Sequence, residues 1–177
     1  MSGTTRSQLI DLYRRGPDLL AAALEPIPPQ ARTFEPGGSR WSIHRIVIHI
    51  VDADLVGFVR LRKPVAEPGA TVAGYSQEAW AAKLHPESIA LEAALELLRA
   101  YRSYNLAFFA AVTETEWSET VVHPQRGQIT LEAVLAMYAR HPGLHIDHIE
   151  RTYAAWQRVQ AGEQLDPNES FWVPPGR

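Results

Sequence analysis

The stretch His141-Pro142-Gly143-Leu144-His145-Ile146-Asp147-His148 (HPGLHIDH, residues 141–148) holds three of the chain's seven histidines. On a helix, positions i, i+4 and i+7 share one face, so the three imidazoles form a single stripe. Working upstream, Leu131, Val134 and Tyr138 reach His141 by steps of three and four, and Thr152 continues the series beyond His148. The histidines therefore extend an apolar seam, and the spacing predicts that they face the interior of a helical bundle rather than solvent. Pro142 lacks an N–H and crowds the carbonyl of Tyr138, which predicts a kink or a restart at that point.

The rest of the chain has a helical period almost throughout. Leu9, Tyr13, Leu20 and Leu24 share one face, flanked by Ile10 and Leu19, with a kink expected ahead of Pro17. A second helix is expected over Trp41–Arg62, with Ser42 as N-cap. Residues 76–84 (SQEAWAAKL) suit a short helix capped by Ser76. A long helix is expected over 86–112, with Pro86 in its first turn. The last helix is expected from near Thr130 toward Val159. The proline- and glycine-rich segments 26–40, 63–75 and 123–129 are expected to be loops. The tail 164–177 (QLDPNESFWVPPGR) has no periodicity, and Phe171 and Trp172 are expected to lie on the body or on a partner. Four long helices joined by loops read as an all-α four-helix bundle. One domain over residues 1–177, with an irregular tail over 161–177, suits a chain of 177 residues.

Composition narrows the function. An apolar fraction of 46% and a charged fraction of 21% are ordinary for a soluble globular protein. The formal net charge of -3 carries no basic excess, which argues against a nucleic-acid partner. With no cysteine, the chain offers no disulfide, thiolate ligand or cysteine nucleophile. The N-terminus has no apolar signal region and no run is long enough to span a bilayer, so a cytoplasmic location is expected.

A buried imidazole without a partner costs about 1–3 kcal/mol, and a lone core histidine meets that need with one backbone carbonyl. A stripe of three multiplies the demand. His141 and His145, one turn apart, have the geometry by which a helix chelates a divalent metal. The sequence between them has no glutamate, so this is not an HExxH zinc protease motif. A working metal centre usually takes a third protein ligand. His85 and His123 precede prolines in expected loops and suit turn positions. His44 and His49 both lie on the second helix, His44 nearer the centre of its apolar arc and His49 at the edge, and periodicity does not choose between them. Asp52, within a turn of His49, could orient an imidazole or a water, or be a solvated acid. Asp54 lies closer to the apolar arc and is expected to pair with His44 or an arginine.

The segments WSIHRIVIHIVDAD (41–54) and YARHPGLHIDHIER (138–151) resemble the DinB/YfiT-like family of metalloenzymes. LIDLYRRGPDLLAAAL (9–24) and HPQRGQITLEAVLAMYARH (123–141) are similar to it in type and spacing, so the resemblance covers most of the chain. It implies a four-helix bundle of that type, here with a kinked last helix, and a three-histidine site for nickel or zinc, often within a homodimer. Carried over by position, the implied ligands are His49, His141 and His145. His148 falls where the family often has glutamine or histidine, which implies a supporting role, with Asp52 as a further candidate. Pro142 departs from the family pattern, since a polar residue usually follows the first ligand of the pair.

The family further implies a small-molecule substrate. Its activity would be either thiol-dependent S-transfer, with a low-molecular-weight thiol such as bacillithiol or mycothiol, or hydrolysis. The alternative is a non-catalytic bundle whose histidines hold a structural or adventitious metal. Trp80, Trp117, Phe171 and Trp172 are the aromatic anchors expected for a dimer interface.

Overall fold

The structure is a computed structural model, and it describes residues 4–38 and 40–171. Four long helices dominate it: α1 (Arg6–Leu24), α3 (Ile43–Ala66), α5 (Leu91–Ala111) and α6 (Leu131–Gln160). Two short helices, α2 (Pro29–Arg32) and α4 (Gln77–Lys83), lie in the connections, as does a hairpin of β1 (Thr120–His123) and β2 (Gly127–Thr130). No helix among the described residues is long and apolar enough to cross a membrane.

Three of the four long helices start at a side-chain cap. Thr5 and Gln8 form a capping box at α1. The Ser42 side chain accepts from the Arg45 N–H at α3, and Thr130 accepts from Ala133 at α6. The α5 helix begins later than its periodicity suggests. His85 adopts a left-handed backbone (φ 52), Pro86–Ser88 form a single 3-10 turn, and Ile89 is extended before Leu91.

Contacts between the helices fix their directions. Arg6 of α1 pairs with Glu132 of α6, and further along Gly16 packs against Pro142, so α1 and α6 run parallel. Asp54 and Arg62 of α3 bond Arg102 and Asn105 of α5, so these two also run parallel. Asp18 with Arg99 and Tyr13 with Asn105 set α1 antiparallel to α5. His49 beside His145 and Arg60 with Tyr138 set α3 antiparallel to α6. Going from α3 to a parallel α5, the chain must return the length of the bundle, and residues 67–90 with α4 make that crossover.

The interior is two apolar clusters with polar groups between them. One cluster gathers Leu20, Ile43, Ile46, Ile50, Leu98 and Ile149. The other gathers Leu9, Tyr13, Leu61, Leu131, Leu135 and Tyr138. At the level between, α1 presents Gly16 and Pro17, α3 presents His49 and Asp54, α5 presents Arg102, and α6 presents His141, Pro142 and His145.

Several expectations are corrected here. The segment 26–40 contains the short helix α2, where Pro29 fits a first turn. The α3 helix runs through Pro64 to Ala66, about one turn beyond the expected end at Arg62. Residues 123–129 are the turn and half of a hairpin, in which β-branched Thr120, Val121 and Val122 pair with Gln128, Ile129 and Thr130. Gly127, at φ 68, supplies the left-handed residue that closes this turn. Both α1 and α6 run unbroken through Pro17 and Pro142, so α6 does not restart.

Candidate metal centre

His49 from α3 and His141 and His145 from α6 meet in the polar layer. Their ring centroids stand 5.3 Å (His49–His141), 4.8 Å (His49–His145) and 4.6 Å (His141–His145) apart. One potential ligand nitrogen from each lies within 4.8 Å of the others, close enough for all three to hold one metal ion. The Nε2 atoms of His141 and His145 approach to 3.1 Å. The Trp41 ring meets the His49 ring edge-on at 5.1 Å and closes one side of the group.

These imidazoles are held neutral. Burial lowers His49 to about 4, with a further push from His148. Burial, then His49 and Arg102, lowers His141 to about 3. His145 is lowered furthest, by burial and by His141, His49 and His148 together. A neutral ring nitrogen is the form that ligates metal. The buried Nε2 of His49 and Nδ1 of His141 have no hydrogen-bond partner among the described residues. An orphaned nitrogen is costly in a closed bundle, and an ion between the rings would satisfy that of His49, while His141 and His145 converge through their Nε2 atoms, so the donor set fits a divalent metal.

The other histidines go elsewhere. His44 sets its Nε2 3.0 Å from the carbonyls of Pro86 and Ile89, tying α3 to the crossover. His85 is exposed, with Glu87 3.5 Å away. His123 is buried, and its Nδ1 accepts from the Gln125 N–H within the hairpin turn. His148 is buried one turn beyond His145, with the ring centroids 6.1 Å apart. Asp52 is half-buried and makes no hydrogen bond to the three rings; burial raises its carboxyl, and its charge acts on Tyr75. Asp54 pairs with an arginine, Arg102, and not with His44.

A cavity of about 500 Å³ reaches His145 and His148. Trp41 and Phe171 give it aromatic walls, and the exposed Gln77 and Glu78 stand at its edge. Phe171 is held there by Arg40, whose guanidinium lies 4.9 Å over its ring and donates to the carbonyls of Pro36, Gly37 and Asp166. Phe171 and Trp117 are only 3% and 4% exposed and pack within the monomer, and Trp80 is half-buried against Tyr75. Trp172 lies outside the described residues.

Periodicity missed Arg102, which is 1% exposed at the centre of the bundle. Its Nε and Nη2 donate to Asp54 at 2.6 and 3.1 Å, its Nη1 to the Tyr13 carbonyl at 2.8 Å, and its Nη2 also to the Tyr138 carbonyl at 3.0 Å. Those two carbonyls stand four residues before Pro17 and Pro142, which have no N–H to give them. A pair of helix-interior prolines was the available signal, because each strands one carbonyl that some other donor must reach.

The chain is similar in sequence and in fold to known proteins. A protein of Oceanobacillus iheyensis named "putative metal-dependent hydrolase" is 24% identical over 117 residues, 66% of each chain. One of the same name from Bacillus mycoides is 24% identical over 153 residues, 83% of this chain and 87% of the relative. Among solved structures, YfiT from Bacillus subtilis, described as "a probable metal-dependent hydrolase with an unusual four-helix bundle topology", superposes with a TM-score of 0.78. That match has 21% identity and covers 92% of this chain and 90% of YfiT, and the parallel helix pairs found here are in keeping with its fold. Residues 12–149, which carry all three converging histidines, match the DinB superfamily, and the chain belongs to that superfamily.

Proposed function

We propose that the protein is a metal-dependent enzyme acting on a small molecule, with His49, His141 and His145 holding a divalent ion, nickel or zinc. The convergence of three neutral imidazoles, one of which, His145, lines a cavity, carries this reading. When bound, a divalent ion among three neutral ligands keeps its full charge and supplies Lewis-acid activation of a water molecule or a thiol. The relatives named as metal-dependent hydrolases support hydrolysis. Thiol transfer is the second reaction the site suits, and the cysteine-free chain requires that any sulfur nucleophile arrive with the substrate.

The chain's own residues complete the site. Trp41 and Phe171 give the substrate apolar surface and exclude water from the inner end of the cavity. His148 lines the same cavity, and burial keeps it neutral, lowered to about 4. It can therefore accept a hydrogen bond from a nucleophile and orient it. A scaffold with a structural metal needs no such cavity, which favours the enzyme. The homodimer implied by the family is part of this reading, with exposed Leu55, Val59 and Tyr104 on α3 and α5 as the surface a second copy would cover.

The test is metal analysis of protein purified without an affinity tag, followed by hydrolysis and thiol-transfer screens with each metal. One divalent ion per chain, with activity lost in His49→Ala and His141→Ala, is the expected result. Metal content unchanged in both variants would remove the proposed site.

A further inference from the structure

We propose that Arg102, with Asp54, is the positioning residue of the metal site, setting the height of His141 and His145 on α6 against His49 on α3. The inference rests on the metal-binding reading above and adds to it a device outside the ligand set.

In an uninterrupted helix the Tyr138 carbonyl would accept from the N–H of residue 142, and the Tyr13 carbonyl from that of residue 17. Proline at both positions leaves these acceptors without their helical donor. Arg102 takes both, from a third helix, at 2.8 Å (Tyr13) and 3.0 Å (Tyr138). The same guanidinium binds both carboxylate oxygens of Asp54, so one side chain of α5 is tied to α1, α3 and α6 at a single level. Only a planar fork with several fixed donors can do this; a lysine ammonium cannot span the same acceptors.

The tied points flank the ligands. Tyr138 lies one turn before His141, and Asp54 follows His49 by five residues on α3. A shift of α6 along its axis relative to α3 would therefore break the bond to Tyr138 or the pair with Asp54. The surroundings are shaped to this purpose. Gly16 leaves the space Arg102 Nη1 occupies, and the Tyr13 ring lies 4.3 Å beneath the guanidinium. Pro142, the departure from the pattern around it, is then what makes the backbone beside His141 available to be held from another helix.

Two variants test this, each titrated with cobalt(II) as a spectroscopic probe and melted in the metal-free form. Arg102→Lys keeps the charge and loses the fork. Its cobalt affinity is expected to fall by about 10–100-fold, with a changed ligand-field spectrum, as changes that misorient ligands do. Pro142→Ala restores the N–H and so competes with Arg102 for the Tyr138 carbonyl. It is expected to melt at the wild-type temperature or above, yet to bind cobalt several-fold more weakly with a shifted spectrum. That opposite movement of stability and affinity is what a merely structural role does not produce.

Wild-type affinity and spectrum in both variants would overturn the positioning role while leaving the metal site standing. Should Arg102→Lys fail to fold, Pro142→Ala alone decides, and wild-type affinity and spectrum there overturn the proposal. Failure of the wild-type chain itself to bind cobalt would overturn the metal reading and the positioning role with it.

Discussion

Gly16 stands against Arg102 so closely that a Cβ at residue 16 would overlap Nη1 of the guanidinium and lie 3.2 Å from Cγ of Pro142. Replacing an interior helical glycine by alanine ordinarily gains about 1 kcal/mol of helix propensity. Here the guanidinium is fixed by Asp54 and two carbonyls and cannot move aside. Overpacking of this kind costs about 1–3 kcal/mol, and displacing a buried charged hydrogen bond adds to it. Gly16→Ala is therefore expected to destabilise by roughly 1–3 kcal/mol net of the propensity gain. Urea denaturation measures this, and stability equal to wild type would show that the packing around Arg102 is loose.

Gly143, between the two histidines of α6, is the opposite case. It is exposed, and a Cβ there would meet nothing within 4 Å. Gly143→Ala is expected to stabilise the protein by about 0.5–1 kcal/mol through helix propensity alone. Metal affinity is expected to stay within about twofold of wild type, since no ligand is touched. A loss of stability in thermal melts would mean that the backbone at residue 143 is not ordinary helix.

The buried imidazoles also make stability depend on pH. Their folded-state values, lowered to about 4 for His49 and His148 and about 3 for His141, lie below the 6.5 of an unfolded histidine. Between those limits the unfolded chain binds more protons than the folded one, so stability rises with pH. It is fully present above pH 6.5 and is lost progressively as the pH falls toward 4, at no more than about 1.4 kcal/mol per pH unit for each such group. The metal-free protein is expected to melt at falling temperature over that interval. His145→Gln, which removes one of these groups, is expected to flatten the slope. A melting temperature constant from pH 7 to 4.5 would show that the imidazoles are solvated.

The bundle and the inward-facing pair His141 and His145 were legible in the sequence because period and spacing are local properties. Leu131, Val134 and Tyr138 point where His141 and His145 must point, and all are buried or half-buried in the fold. The choice of His49 over His44 was not legible from period alone. It depends on how α3 turns against α6, and on the carbonyls of Pro86 and Ile89 that claim His44 from a distant crossover. The hairpin at 120–130 was hidden for another reason: breaker residues in its turn outweigh two strands of four residues each. Arg102 could not be placed at all by period, since its partners lie on three other helices and its burial is set by carbonyls 89 and 36 residues away that Pro17 and Pro142 leave free.

The sharpest contrast among the histidines is between His148 and the three that converge. If His49, His141 and His145 are the ligands, alanine at any one of them is expected to abolish tight metal binding. The bundle should survive, because the apolar clusters on either side of the polar layer are untouched. If they are ordinary core histidines, the same changes cost about 1–4 kcal/mol of stability through cavities and lost partners and leave metal content unchanged. His148→Gln keeps a hydrogen-bonding group at the cavity wall while removing an imidazole. That variant is expected to retain its metal, losing affinity by at most about 10–100-fold as changes beside a ligand set do, and to lose activity more than metal. Metal content by elemental analysis and apo-protein melting, measured side by side, separate these cases. Complete loss of metal in His148→Gln, with His49→Ala retaining it, would assign the ion to a different set of histidines.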